Sequence, residues 1–140
     1  MSIQIEYLQD GYGIEFFGTG IVTGEEIYDA NNIIYSGESL ARQKYQILNL
    51  SDANRVRVSQ DEAVKLANQD IEASRTNPDI VIAIVATLDH AFGLGRMWEA
   101  HVNKSSFETM VFRKREEALA WIDKRLGIIP SATRATPDES

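Results

Sequence analysis

Six polar side chains follow apolar runs of this sequence, and their chemistry suits a polar ligand or a partner protein. They comprise two carboxylates, an imidazole, a guanidinium and two hydrogen-bonding groups: Ser51, Asp52, Asn54, Asp89, His90 and Arg113. Each also has a simpler structural explanation. Asp89 can cap a helix, His90 falls on the first turn of that helix, and Arg113 can lie across a sheet edge. Ser51 and Asp52 suit a side-chain-to-backbone turn at a strand end.

No arrangement of residues indicates catalysis. His90 and His101 lie about three turns apart on one predicted helix, which is too far for them to share a metal ion. The nucleophile elbow of serine hydrolases is absent, and so is a Walker lysine motif. Gly93-Leu94-Gly95 lacks the third glycine of a dinucleotide fingerprint and falls inside a helical pattern. We therefore predict no enzyme activity, no bound metal and no cofactor.

A second kind of site would be apolar. If Gly93 and Gly95 loosen the packing of the helix over residues 89–102, its inner face opens a pocket. The side chains that would line this pocket are Phe92, Leu94, Met97 and Trp98. A carrier of a lipid-like ligand needs a cavity of at least about 300 Å³ there. The simpler explanation is that these side chains belong to the core.

The elements that must position these residues are those of an α/β fold. Three apolar runs, residues 45–50, 80–86 and 107–112, alternate with segments of helical periodicity. Strands covered on both faces lose their polar alternation, so these runs predict parallel strands in βαβ units. Capping boxes mark helix starts at Thr23 and Ser59. With an N-terminal antiparallel hairpin, the pattern predicts a mixed five-stranded sheet with about four helices packed on it.

The hairpin is predicted from the first twenty residues. Apolar and polar residues alternate on either side of Asp10-Gly11, which is a favoured two-residue turn. Gly18 and Gly20 then break the second strand. Farther along the chain, residues 51–55 follow the first buried strand and are predicted to form a polar loop.

Length and composition predict one domain. The chain has 140 residues, enough to bury about two-thirds of its unfolded surface around a single core. We predict a domain over residues 1–127 and a flexible C-terminal tail over residues 128–140, which is nearly free of apolar side chains beyond Pro130. Cysteine is absent, which excludes disulfides and thiolate chemistry. The net charge of −7 repels nucleic acid and anionic lipid surfaces.

No targeting segment is recognisable. The first residues lack the basic start and apolar stretch of a signal peptide. No apolar stretch approaches the roughly 18 residues that would form a transmembrane segment. We expect a cytoplasmic protein.

The order of the elements resembles that of the small bacterial STAS/SEC14-like domains, the SpoIIAA-like family. Three junctions carry the resemblance: residues 18–26 entering the first helix, Leu48-Asn49-Leu50-Ser51 after the first buried strand, and Val111-Phe112-Arg113 running into the helix that includes residues 116–122. The resemblance covers residues 3–126. It implies a STAS/SEC14-like mixed sheet that acts without catalysis and meets partner proteins or small ligands at the carboxyl ends of its strands.

The resemblance also implies a form of regulation. In the antagonists of this family, a serine or threonine at the start of the helix after the first buried strand is phosphorylated, which switches partner binding. The nearest match here is Ser51, although no glycine follows it and a phosphate beside Asp52 would be repelled. Whether Ser51 is phosphorylated is left open.

Two functions follow from the sequence. The first is a regulatory or protein-interaction module with an unidentified protein partner, which includes a homodimer through the exposed edge of the hairpin. The alternative is a small carrier or sensor that binds an apolar, lipid-like ligand under the helix over residues 89–102.

Overall fold

Residues 2–127, which a computed structural model describes, form five strands and five helices. The strands are β1 Ile3–Leu8, β2 Gly13–Thr23, β3 Tyr45–Arg57, β4 Val81–Val85 and β5 Glu108–Phe112. The helices are α1 Gly24–Ile34, α2 Glu38–Arg42, α3 Gln60–Thr76, α4 Asp89–Val102 and α5 Arg115–Leu126. The predicted tail, residues 128–140, lies outside the described residues.

The five strands form one sheet in the order β1-β2-β3-β4-β5. β1 is antiparallel to β2, and every following pair of neighbours is parallel. The predicted mixed sheet, a hairpin followed by parallel βαβ units, is therefore confirmed. The described residues hold five α-helices instead of about four, because the five-residue α2 was not predicted.

Helices cover both faces of the sheet, and β4 shows how one strand serves both. Ile82 and Ile84 belong to a core cluster shared with α1, α3 and α4. The alternate residues belong to a second cluster, shared with α5: Val81, Ala83 and Val85. Successive side chains of a strand point to opposite faces, so β4 is buried on both, as its unbroken apolar run predicts. We call the two sides the three-helix face and the α5 face.

Both predicted capping boxes begin helices. At α1, the Glu26 N–H donates to Thr23 Oγ1 at 3.2 Å, and the Thr23 N–H donates to Glu26 Oε1 at 3.1 Å. At α3, the Glu62 N–H donates to Ser59 Oγ at 3.0 Å, and the Ser59 N–H donates to Glu62 Oε1 at 2.9 Å. Each box satisfies backbone donors that the first turn of a helix leaves unpaired.

β2 and β3 are longer than the sequence predicts. Gly18 and Gly20 do not end β2, because the strand continues through two register shifts to Thr23. The predicted polar loop over residues 51–55 is also wrong, because β3 runs through it to Arg57. Beyond the last pair of β3 with β4, residues 19–23 pair with β3 residues between 52 and 57. We call this two-stranded extension the arm.

Residues 51–57 form a strand although most of them are polar, because one face of this part of β3 is buried. Ala53, Val56 and Val58 pack into the cluster of the three-helix face, together with Val22 of β2. Asn54 has no partner in the register and forms a bulge. The extra residue shifts the alternation of apolar and polar side chains, so the period of two is hidden in the sequence.

The hairpin turn is longer than predicted. Four residues separate the paired ends of β1 and β2, instead of the two predicted at Asp10-Gly11. Gln9, Asp10 and Gly11 all have positive φ values, of 54°, 57° and 91°. Two side chains hold this turn: Arg42 donates to the Asp10 carbonyl oxygen at 2.6 Å, and the Tyr45 hydroxyl donates to Gln9 Oε1 at 2.6 Å.

Candidate functional site

The carboxyl ends of β4 and β5 lie at one edge of the sheet, beside the middle of β3 and the first turn of α4, and we call this region the rim. Arg113, directly after β5, donates to the Asp89 carboxylate at 2.8 Å and to the Thr87 carbonyl oxygen at 3.0 Å. Its guanidinium carbon lies 4.1 Å from the centre of the Phe92 ring. These contacts join the end of β5 to the start of α4.

Ser51 joins the same group from β3. Its hydroxyl donates to Asn49 Oδ1 at 2.6 Å, and its backbone N–H donates to the same oxygen at 3.0 Å. The Thr87 hydroxyl in turn donates to the Ser51 carbonyl oxygen at 3.5 Å. Ser51, Asp89 and Arg113 are therefore linked through Thr87. Thr87 was not among the predicted site residues, although it too is a polar residue after a strand end.

The other three selected residues lie outside this linked group. Asp52 and Asn54 are exposed on the arm, beyond the end of β4. His90 is exposed on the first turn of α4. Within residues 2–127, no side-chain hydrogen bond or ion pair joins any of the three to the rim. The structure brings three of the six selected residues into one network and leaves three as exposed neighbours.

Two roles predicted for these residues are wrong. The N-cap of α4 is Leu88, and the Asp89 carboxylate pairs with Arg113 instead of capping the helix. Ser51 and Asp52 lie inside β3, so the turn predicted for them at a strand end is absent. The residue that caps the following helix, α3, is Ser59, which is exposed.

A buried ion pair lies on the α5 face and continues the network inward. Arg115 donates to both carboxylate oxygens of Glu15, at 2.8 and 2.7 Å, and Glu15 is fully buried. Asn49, which holds Ser51, donates to the same carboxylate at 3.1 Å. The hydrogen bonds that Arg115 donates to Glu15 raise the pKa of Arg115. Burial, and then the charge of Glu15, raise the pKa of the neighbouring Tyr45 hydroxyl.

A second buried carboxylate, Asp70, lies on the three-helix face. It accepts hydrogen bonds from the Tyr35 hydroxyl at 2.6 Å and from the Trp98 indole N–H at 2.7 Å. Burial raises the pKa of Asp70 to about 6, although these two hydrogen bonds lower it in part. Burial also raises the pKa of Tyr35. Gln46 extends the network by donating to the Tyr35 oxygen at 3.1 Å.

The apolar pocket predicted under α4 is small. A cavity of about 70 Å³ lies between the sheet and the helices of the three-helix face. Leu94 and Trp98 line it, whereas Phe92 and Met97 do not. A lipid-like ligand needs at least about 300 Å³, so the carrier alternative is not supported.

The packing of α4 gives the physical reason. Gly95 lets the helix approach β5 closely, since a Cβ at this position would lie 3.2 Å from the nearest methyl group of Val111. Gly95 was expected to loosen the packing of α4, but it instead lets α4 pack more closely against the sheet. A larger groove of about 500 Å³ lies between α1 and α3, but it is an open surface feature lined largely by polar and charged side chains.

Two further features are absent from residues 2–127. No group of three histidine, aspartate or glutamate side chains in this part of the chain is arranged to hold a metal ion. None of the helices α1 to α5 has both the length and the hydrophobicity of a membrane span.

Comparison with solved structures identifies the fold. The anti-sigma factor antagonist SpoIIAA, solved in its unphosphorylated form, matches with a TM-score of 0.52 and 15% identity over 90% of this chain and 99% of that chain. The fold is SpoIIAA-like. The α/β architecture expected from the STAS/SEC14-like resemblance is thereby confirmed.

A second solved structure was found by the same comparison. It is an uncharacterised DUF3478-family protein with a SpoIIAA-like fold from Shewanella loihica PV-4, and it matches with a TM-score of 0.49 and 17% identity over 86% of this chain and 91% of that chain. No protein-family model matches the chain, and no curated protein matches it.

Proposed function

We propose that this chain is a non-catalytic regulatory module of the cytoplasm that binds a partner protein at the rim. The observation that carries the proposal is the network of Ser51, Thr87, Asp89 and Arg113, which gathers polar groups from β3, from α4 and from the segments that follow β4 and β5. Open α/β sheets bind their ligands at this edge. SpoIIAA, which shares the fold, is an anti-sigma factor antagonist, and we extend a regulatory role of that kind to this chain.

The chemistry of the rim suits a protein surface. The side chains of Asp89 and Arg113 are 95% and 45% exposed, so a partner can reach both charges although they are paired. Leu88, beside them, is 38% exposed and supplies an apolar contact. Protein interfaces combine apolar contacts with a polar, solvent-accessible border. Asp52, Asn54 and His90 extend that polar border.

A charge reversal that keeps the ion pair tests this proposal. In the double variant Asp89→Lys/Arg113→Glu, opposite charges still face each other, whereas the pattern presented to a partner is inverted. We expect the variant to fold and to bind at least about tenfold more weakly, because like charges would then face the partner across the interface. Proteins captured from the host by wild type and variant are quantified by mass spectrometry, and dissociation constants are measured with the purified partner.

A second reversal serves as the matched control. Glu72→Arg/Arg75→Glu inverts an ion pair on α3 whose two side chains are 73% and 71% exposed. This control should retain the partner. Equal retention by both double variants would place the partner elsewhere and refute binding at the rim.

Homodimer formation through β1 remains a prediction. β1 is an outer strand, and within residues 2–127 no strand pairs with its other edge. Native mass spectrometry of protein purified from its host tests the prediction, since a dimer supports it and a monomer does not. We expect no co-purifying lipid because the cavity is only about 70 Å³, and a bound lipid would instead favour the carrier alternative.

A further inference from the structure

The arm has a backbone edge that no other described part of the chain covers. β3 pairs with β4 only as far as Asn49 and Val85, whereas it pairs with β2 as far as Arg57. In a parallel ladder, alternate residues direct their N–H and C=O groups to opposite sides of the strand. About half of the backbone groups of residues 52–57 therefore face away from β2.

These outward groups have no partner in residues 2–127. No hydrogen bond joins the backbone of residues 52–57 to any segment other than β2. On the edge of β3 that faces away from β2, the last backbone group with a partner is the Ser51 carbonyl oxygen. It accepts a hydrogen bond from the Thr87 hydroxyl. An open strand edge is a template on which another strand can pair.

Two arginines of the arm also lack partners. Arg55 and Arg57 are exposed while Val56 between them is buried, so both guanidinium groups lie on the outer face. Neither makes a hydrogen bond or an ion pair within residues 2–127. Every other arginine in that range bonds to a carboxylate or a carbonyl oxygen: Arg42, Arg75, Arg96, Arg113, Arg115 and Arg125.

We propose that the arm binds an extended, acidic segment of a protein partner as an added strand beside β3. This inference rests on the proposed function and names both the surface and the chemistry of the partner. A strand paired with residues 52–57 would carry alternate side chains on the face of Arg55 and Arg57, about 7 Å apart. Carboxylates at positions i and i+2 of the segment therefore match the two guanidinium groups.

The open edge favours a polypeptide over other anionic partners. Its N–H and C=O groups repeat at the spacing of a β-ladder, which the backbone of another polypeptide matches. The net charge of −7 repels a long polyanion, whereas a short acidic segment brings only a few charges close to the two arginines.

The proposal is tested by NMR with the ¹⁵N-labelled full chain and three synthetic octapeptides. The first alternates glutamate and valine, the second alternates lysine and valine, and the third is the acidic peptide with every backbone nitrogen methylated. We expect only the first to shift the amide signals of residues 52–57 and to slow the hydrogen exchange of the outward amides at least tenfold. Equal binding of the methylated peptide would show charge attraction without strand pairing and would overturn the proposal.

Two double variants test whether peptide binding depends on Arg55 and Arg57 or on the positive charge of the protein in general. Arg55→Gln/Arg57→Gln should weaken binding of the acidic peptide about tenfold, which is the combined effect of two exposed ion pairs. Arg75→Gln/Arg96→Gln removes two arginines from the surfaces of α3 and α4 and should leave binding unchanged. An equal loss in both variants, or no loss in the first, would contradict the assignment to Arg55 and Arg57.

The remaining outcomes are also decisive. Stronger shifts at residues 52–57 with an eight-nucleotide oligothymidylate would assign the arm to single-stranded nucleic acid and overturn the peptide proposal. If no peptide affects the arm while capture still depends on Asp89 and Arg113, the strand addition fails and the proposed function stands. In that case Arg55 and Arg57 guard the edge against aggregation, which is a common use of charge on an edge strand.

Discussion

The two faces of the sheet each bury one carboxylate, and the two carboxylates are stabilised in different ways. Glu15, on the α5 face, receives two hydrogen bonds from the Arg115 guanidinium. Asp70, on the three-helix face, receives its hydrogen bonds from the neutral donors of Tyr35 and Trp98. A buried carboxylate beside a cation is stabilised in its charged form, whereas burial among neutral groups favours the protonated form.

This difference gives the faces different roles. On the α5 face the ion pair ties β2 to α5 and, through Asn49, reaches Ser51 at the rim. On the three-helix face the network around Asp70 joins α3 to α4 and makes stability depend on pH. Substitutions in the pair of Glu15 and Arg115 should therefore lower the stability by removing a charge pair. Substitutions of Asp70 should change how the stability depends on pH.

The largest expected effect is the loss of the buried cation. Arg115→Ala leaves Glu15 fully buried without a counter-charge, and removal of one partner of a buried pair costs about 3 to 5 kcal/mol. We expect a loss near the lower figure, because 25% of the Arg115 side chain is exposed. Urea denaturation of the variant and of wild type measures the free energy of unfolding.

Arg125→Ala on the same helix is the control. Its partner is Glu108, and the two side chains are 45% and 54% exposed, so a loss below about 1 kcal/mol is expected. Adding Glu15→Gln to Arg115→Ala should restore part of the stability, because no carboxylate then remains buried without a counter-charge on the α5 face. If Arg115→Ala and Arg125→Ala lose similar amounts of stability, burial of the pair of Glu15 and Arg115 does not increase the cost of losing the arginine.

The next effect is a dependence on pH that belongs to the three-helix face. The pKa of Asp70 rises from 3.8 to about 6 on folding. Both states are therefore protonated well below pH 4, and between pH 4 and 6 the unfolded state ionises while the folded state keeps its proton. Stability from this group is therefore fully present below about pH 4 and is lost as the pH rises through 6, by about 3 kcal/mol at 1.36 kcal/mol per pKa unit. Urea denaturation between pH 4 and 7 measures the free energy of unfolding. It should fall by about this amount in wild type, and this fall should be absent in Asp70→Asn.

A second variant sharpens the assignment. Tyr35→Phe removes a hydrogen bond that lowers the pKa of Asp70, so the midpoint of the pH dependence should move above 6. Parallel stability curves for wild type and Asp70→Asn would disprove the role given to Asp70.

The smallest expected effect concerns how closely α4 approaches the sheet. Gly93→Ala meets open space and should raise stability by about 0.5 to 1 kcal/mol through helix propensity. Gly95→Ala gains the same propensity but places its Cβ 3.2 and 3.3 Å from the methyl groups of Val111. We expect Gly95→Ala to be less stable than Gly93→Ala by about 1 kcal/mol or more. Thermal unfolding measures both, and equal stabilisation would show that α4 packs loosely after all.

Patterns within single elements were the part of the fold that the sequence could predict. The apolar run of β4 indicates a strand buried on both faces, and the Thr23 and Ser59 capping boxes indicate where α1 and α3 begin. The arm escaped prediction because the bulge at Asn54 breaks the alternation that a half-buried strand normally shows. Local patterns fail where one inserted residue changes which face each side chain occupies.

The candidate site was predictable in position and less so in contacts. Polar residues after strand ends do gather at the rim, but Asp89 pairs with Arg113 instead of capping α4. The pair of Glu15 and Arg115 was not predicted, since it joins residues one hundred positions apart in the sequence. The register of the strands and the path of α5 bring these two side chains together.

The ion pair between Glu15 and Arg115 also sets an order of events during translation. The ribosome makes Glu15 one hundred residues before the arginine that pairs with it. Until then the nascent chain carries an acidic group on an uncovered strand, and the apolar residues beside it have no helix to pack against. Closure of that side of the molecule therefore waits for α5, and a chain interrupted before α5 would expose the surface on which chaperones and proteases act.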